Sequence, residues 1–104
     1  MAQVKVLLFL PLKDNDGRDL AAERDEVENA LFMQFDGWTG LGVVQGAYRM
    51  LDGAKAVDHH FVFAIILDEA LLPEVEAIAP AFKAKTTQEA IYLEVQYNVA
   101  VRFI

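Results

Sequence analysis

Residues 39–67, TGLGVVQGAYRMLDGAKAVDHHFVFAIIL, decide the fold because they hold two strand-like runs around one turn signal. The first run spans about Thr39–Leu51 and the second about Ala56–Leu67, and both are rich in β-branched and aromatic residues. Asp52-Gly53 stands between them, and Asp-Gly is a strong hairpin signal because a type I′ turn needs positive φ at both positions. The stretch therefore predicts two antiparallel strands joined by a two-residue turn.

The flanking segments predict a strand and a helix before this hairpin, and a helix and a strand after it. Apolar residues recur at helical spacing in both helices, which gives each helix a stripe to bury. Pro80 lies deep in the second helix and is expected to kink or shorten it. In chain order the elements outside the hairpin are a strand at residues 3–10, a helix at Asp19–Gln34, a helix at Glu69–Lys85, a strand at Ala90–Gln96 and a fifth strand at Val99–Ile104.

This order predicts a single ferredoxin-like α+β domain over residues 1–104. It is a β-α-β-β-α-β plait with an added C-terminal strand, and right-handed crossovers place both helices on one face of an antiparallel sheet. A chain of 104 residues fits one domain of this kind. The stripe expected to hold the first helix against the sheet consists of Leu20, Val27, Leu31 and Phe35.

The predicted turn also assigns side chains to the two faces of the sheet. A two-residue turn pairs Gly46 with His59 and directs Val44, Gly46 and Tyr48 towards the helices. A turn of another length would shift the pairing by one residue and exchange the faces. On this register the helix-free face of the hairpin carries Gln45, Ala47, Arg49, Asp58, His60, Val62, Ala64 and Ile66.

Four of the six glycines lie close together, at Gly37, Gly40, Gly42 and Gly46, which raises the question of a phosphate-binding loop. Such a loop lies between a strand and the N-terminus of a helix. Here the order is helix, glycines, strand, and no Gly-Lys-Ser/Thr follows. The glycines are therefore expected to permit bulges or close backbone approach in a curved strand.

Composition argues against several classes of partner. The net charge of −7 disfavours nucleic acid and anionic membranes, because phosphate groups repel such a surface. The chain has no cysteine, which excludes disulfides, iron–sulfur clusters and thiolate zinc sites and fits a reducing cytoplasm. Neither a cofactor nor a metal is predicted, since His59 and His60 point to opposite faces of a strand and do not chelate one ion.

Four polar or aromatic residues are predicted to converge at one edge of the sheet. The strand ends that carry Arg49, Asp58, His60 and Tyr92 meet there on the helix-free face. An imidazole beside a carboxylate can act as a general base, and a guanidinium can hold an anionic group. The alternative interpretation is a satisfied polar patch at the end of the sheet or at the rim of a dimer.

The helix-free face is too apolar for water, since it carries Leu7, Phe9, Val62, Ala64 and Ile66. We therefore expect a homodimer formed through this open sheet face. Two functions remain open at this point. One is a self-associating, non-enzymatic binding domain, and the other is a dimeric α+β-barrel-type enzyme or ligand-binding protein with a small-molecule site near His60.

The chain also resembles a group of small uncharacterised bacterial proteins. The pattern is F-x-G-x-T, then a glycine two residues before an aromatic, then an acidic residue early in the next strand and a QEA-I-aromatic entry to the last one. The resemblance implies the ferredoxin-like fold and no particular reaction. The matching positions are Phe35, Gly37, Thr39, Gly46, Tyr48, Asp58, Gln88, Glu89, Ala90, Ile91 and Tyr92.

Overall fold

The computed structural model describes residues 2–88 and 90–104. Glu89, one of the positions that carry the resemblance, lies outside the described residues. The elements follow the predicted order, and one turn of 3₁₀ helix at Glu69–Leu71 precedes the second helical segment. They are β1 (Gln3–Pro11), α1 (Ala21–Phe35), β2 (Thr39–Arg49), β3 (Lys55–Asp68), α2 (Leu72–Glu76), α3 (Ile78–Ala84) and β4 (Tyr92–Gln96).

The four strands form one antiparallel sheet in the order β2-β3-β1-β4. β1 and β3 lie at the centre, and β2 and β4 lie at the edges. One helical segment follows β1 in the chain and the other follows β3, as the predicted crossovers require. The arrangement is a ferredoxin-like α+β domain, which confirms the predicted fold class.

The hydrophobic core lies between the helices and one face of the sheet. Alternate residues of β1, including Val6 and Leu8, are fully buried, as are Phe63 and Ile65 of β3. The central strands thus follow the period of two that was expected. The predicted stripe of the first helix is buried in full, at Leu20, Val27, Leu31 and Phe35.

The second helix is divided at Ala77 into α2 and α3. The backbone nitrogen of Pro80 cannot donate to the carbonyl of Glu76, so the helix does not continue through this point, as expected. Asp68 caps the preceding turn, because its side chain accepts the backbone N–H of Ala70 at 2.9 Å. None of the helices in the described part of the chain has the length and apolarity to cross a membrane.

The hairpin turn differs from the prediction and contains three residues, Leu51–Gly53. The backbone N–H of Met50 donates to the carbonyl of Ala54 at 2.8 Å, and Gly53 has a φ of 87°. This is the geometry of a type I turn closed by a left-handed glycine. The pairing shifts by one residue, so that Gly46 lies opposite Asp58. The predicted faces of β2 were therefore wrong, and Val44, Gly46 and Tyr48 lie on the helix-free face.

A β-bulge interrupts β2 near its start, as the glycines predicted. The register shifts between Gly40 and Gly42, and Gly42 has a φ of 98°, a conformation that favours glycine. A Cβ atom on Gly40 would lie 2.9 Å from the ring of Phe61. These glycines let β2 bend and let the Phe61 ring approach the backbone closely.

The predicted fifth strand is not formed, because residues 97–104 contain no strand. Asn98 has a φ of 59°, and this left-handed residue turns the chain away from an extended course directly after β4. Val101 and Phe103 instead line a cleft of about 640 Å³ together with Lys5 and Ala64 of the helix-free face. The C-terminal segment therefore lies beside part of the face that was expected to be open.

Candidate functional site

One aromatic ring from each strand contributes to a row that crosses the helix-free face; we call Tyr48, His60, Phe9 and Tyr92 the aromatic row. Tyr48 lies edge-on to His60, with 5.9 Å between ring centroids. Phe9 lies 6.3 Å from His60 and 4.8 Å from Tyr92, also in edge-to-face geometry. Such pairs each contribute roughly 0.5–1.5 kcal/mol beyond the burial of their area. The row is thus a preorganised aromatic surface.

A cleft of about 340 Å³ opens along this row. This volume is at the lower end of the ~300–1,000 Å³ range of small-molecule sites. Its lining combines aromatic rings with a few polar and charged groups. The residues that the argument below uses are Tyr48, Arg49, Asp58, His60, Gln88 and Tyr92.

The structure brings all four predicted site residues to this one cleft. Asp58, His60 and Tyr92 share the helix-free face, as the alternation of the strands predicted. Arg49 was also expected on that face, and this was wrong. It pairs with Lys55 because the turn is one residue longer, and it borders the cleft from the edge strand.

Sequence reasoning missed the other residues of the lining, among them Tyr48 and Gln88. Tyr48 was expected to face the helices, and the three-residue turn brings it beside His60. A Cβ atom on Gly46 would lie 2.4 Å from the Tyr48 hydroxyl oxygen, so the ring folds back over a glycine. The sequence contained a signal for this contact, because a glycine two residues before an aromatic residue lies on the same face of a strand and leaves room for the ring. Gln88 appeared only as a position of the resemblance.

His60 is 8% exposed, and its Nδ1 atom is buried without a hydrogen-bond partner among the described residues. Burial lowers the pKa of His60, the nearby carboxylate of Asp58 opposes this shift, and His59 adds to it. The imidazole is therefore neutral at physiological pH. Nε2 of Gln88 is likewise buried and has no hydrogen-bond partner in the part of the chain that the structure describes. An unpaired buried polar group costs roughly 1–3 kcal/mol, so two of them in one cleft call for an explanation.

Tyr92 is held in place by a carboxylate on the same strand. Its hydroxyl donates to Glu94 at 3.0 Å, and Nε2 of Gln96 donates to the same carboxylate at 2.7 Å. These bonds from Gln96 and Tyr92 lower the pKa of Glu94, and the bond to Glu94 raises the pKa of Tyr92. The hydroxyl is thus engaged with Glu94 while the ring lines the cleft.

The loop before α1 is tied to the segment that leads to Gln88. The backbone N–H of Asn15 donates to the Thr87 hydroxyl at 3.2 Å, and the Asn15 side chain donates to the Thr87 carbonyl. Arg18 donates to the carbonyl of Lys85 at 3.2 Å and pairs with Asp14. The backbone N–H of Arg18 is the main cause that lowers the pKa of Asp14. These contacts fix the position of Gln88 from outside the sheet.

The described residues contain no cluster of three or more histidine or acidic side chains placed to hold a metal ion. Asp58 and His60 together supply two candidate ligands, fewer than the three protein ligands of a catalytic zinc site. The chemistry that this part of the chain supports directly is aromatic contact, hydrogen bonding and proton acceptance by a neutral imidazole.

We expect the stability of the protein to fall as the pH decreases from about 7.5 to 5.5, because His60 binds its proton less readily in the folded state. Between the lowered pKa and the ordinary value of 6.5, the unfolded chain binds more protons, so acidification favours unfolding. Urea denaturation at the two pH values measures the effect. His60→Gln should reduce the pH dependence, and His59→Gln, a change at an exposed neighbour on the opposite face, should keep most of it because burial is the main cause of the shift in the pKa of His60. Equal pH dependence in wild type and His60→Gln would refute this assignment.

The topology defines the class of protein as a ferredoxin-like α+β domain with a cleft on its helix-free face. No protein-family model matches the sequence, and no curated protein matches it. Four chains of solved structures are similar in fold, and two of them are named below. The first is a phage SAM lyase in complex with S-methyl-5′-thioadenosine, with a TM-score of 0.67 and 18% identity, covering 91% of this chain and 81% of that chain.

The second is CutA1 from Oryza sativa, with a TM-score of 0.68 and 12% identity, covering 98% of this chain and 84% of that chain. At these identities the likeness shows the fold alone. Because a SAM lyase and CutA1 share this fold, the fold does not identify a reaction or a ligand, and only the residues of the cleft bear on them.

Proposed function

We propose that the protein is a small-molecule-binding domain whose site is the cleft along the aromatic row. The observation that carries this proposal is the buried Nδ1 atom of His60, which lines the cleft and has no hydrogen-bond partner within residues 2–88 and 90–104. Folded proteins leave few buried polar groups without a partner. A mostly apolar cleft with a small number of polar groups is also the usual form of a ligand site.

Asp58 and His60 add a chemical capability to this site. They are neighbours on one face of β3, and the neutral imidazole can accept a proton. A ligand that presents an acidic proton to the imidazole would therefore be able to transfer this proton to it. Binding is the property that the geometry supports first, and turnover would build on it.

A panel of ligands followed by thermal unfolding tests the proposal. The panel contains nucleosides, amino acids and sugars, and S-methyl-5′-thioadenosine is its first member because the phage SAM lyase of similar fold holds that compound. Wild type and His59→Gln should both be stabilised by at least one compound, and His60→Gln should lose this stabilisation. A panel in which nothing stabilises the wild type, or in which His60→Gln responds equally, would contradict the proposal.

We further propose that the protein self-associates as a homodimer through the β2 side of the helix-free face. β2 is an edge strand of 11 residues, and on the helix-free face it exposes Val44 by 38%, beside Leu41, which is 51% exposed at the bulge. A long, exposed, apolar edge strand is a template for pairing with another chain. Light scattering should give a molar mass of about twice 11.6 kDa at high concentration.

A further inference from the structure

We infer, building on the proposed function, that the ligand of this cleft is an uncharged planar nitrogen heteroaromatic ring, for which a nucleobase is the common biological example. Three properties of the cleft lead to this class: the shape of its walls, the polarity of its unpaired groups and the balance of charge at its rim.

The walls favour a flat ring. Tyr48 and Tyr92 stand at the two ends of the aromatic row and are 41% and 49% exposed, whereas His60 lies between them and is buried. Half-exposed aromatic rings gain most from a ligand that covers them with another flat surface. The volume of about 340 Å³ has room for a bicyclic ring with a substituent of sugar size.

The unpaired groups favour a ring that carries hydrogen-bonding atoms at its edge. Nε2 of Gln88 is a donor and requires an acceptor, and Nδ1 of neutral His60 requires a donor or an acceptor according to its tautomer. A heteroaromatic ring with a ring nitrogen beside an amino group supplies both, and a hydrocarbon ring supplies neither.

Both of these nitrogens are covered in the present structure, so the ligand has to move a neighbouring side chain to reach them. Beside His60, Tyr48 is the side chain placed to move. Its ring rests on Gly46 and against His60, and among the described residues its hydroxyl makes no hydrogen bond. A shift of this ring would break its edge-to-face contact with His60 and its contact with Gly46, and within the described part of the chain it would break no hydrogen bond.

The charges at the rim favour a ligand without net charge. Arg49 and Asp58 both border the cleft and carry opposite charges, so neither sign is attracted overall. The net charge of −7 adds a long-range repulsion for phosphate-bearing compounds. An uncharged ring, free or within a nucleoside, meets both conditions.

A pair of probes of similar shape tests the inference by calorimetric titration. 9-Methyladenine carries ring nitrogens and an amino group, whereas 1-methylindole has a similar outline and no hydrogen-bonding edge. We expect wild type to bind 9-methyladenine at least about tenfold more tightly than 1-methylindole, because the indole leaves the buried nitrogens of His60 and Gln88 unpaired. Gln88→Leu should remove this preference, and Gln45→Leu, the same change at an exposed position of β2, should preserve it.

The outcomes separate the inference from the function on which it rests. If both rings bind wild type equally well, or if only aliphatic or charged compounds bind, the inference is overturned and the proposed binding function stands. If neither ring binds and the thermal panel also gives no stabilising compound, the proposed function fails as well. If Gln88→Leu keeps the full preference for 9-methyladenine, the assignment of the donor to Gln88 is wrong.

Discussion

Phe63→Ala is expected to lower the free energy of unfolding by about 3–5 kcal/mol, the usual cost of removing a buried phenylalanine ring. Phe63 is fully buried at the centre of β3, where its ring contacts Trp38 at 5.3 Å and Phe61 at 4.9 Å between centroids. Since domains of this size are stable by only ~5–15 kcal/mol, the loss would approach the whole stability.

Urea denaturation measures this loss, and Phe32→Ala is its matched control. Phe32 lies on the outer surface of α1 and is 61% exposed, so the same substitution there should change stability by less than about 0.5 kcal/mol. Similar losses at the two positions would contradict the assignment of the core to the helix-covered face of the sheet.

Val44→Glu is expected to dissociate the proposed homodimer, with an increase in the dissociation constant of at least about 100-fold. Val44 lies on the helix-free face and is 38% exposed, and the substitution would place two like charges at a two-fold interface. Such a juxtaposition costs several kcal/mol, and each ~1.4 kcal/mol is a factor of ten. Light scattering should show the mass fall towards 11.6 kDa.

Val43→Glu is the control for this substitution, because Val43 is the adjacent residue of β2 and points to the opposite face. It is 55% exposed, so the two changes differ chiefly in the face that they affect. The dimer should persist in Val43→Glu. A wild-type mass of 11.6 kDa at all concentrations would refute the homodimer, and dissociation by Val43→Glu alone would place the interface on the other face.

The C-terminal segment limits which part of the helix-free face is available to a second copy. Val62 and Ala64 are already buried, and Phe103 lines a cleft beside Ala64. Leu41 borders the same cleft, whereas Val44 lies further along β2, at the edge of the sheet opposite to β4. This distribution is why the β2 side, rather than the whole face, is the interface that we propose.

Much of the fold was predictable because it depends on periodicity. The stripe ending at Phe35, the alternation of β1 and the break before Pro80 all follow from local chemistry that the sequence displays. The turn length did not follow, because Asp52-Gly53 suits both a two-residue turn and the last part of a three-residue turn. The fifth strand failed because Asn98 takes a left-handed conformation, which no apolar pattern reveals.

The candidate site was predictable to the extent that it depends on the central strands. Asp58, His60 and Tyr92 lie on elements whose faces were assigned correctly, so their convergence followed from the topology. Tyr48 was misplaced by the one-residue shift in the hairpin. Gln88 lies in the irregular segment between α3 and β4, where no period exists to assign a face.

Two methionines allow the central claim, that the cleft binds a small molecule, to be tested directly. Met50 lines the cleft, and Met33 lies 72% exposed on α1. Protein labelled with ¹³C at the methionine methyl groups can be titrated with S-methyl-5′-thioadenosine, 9-methyladenine and the compounds that raise the unfolding temperature. The account predicts a saturable shift of the Met50 methyl resonance while that of Met33 stays constant. A Met50 resonance that no compound moves, or equal shifts at both methionines, would contradict it.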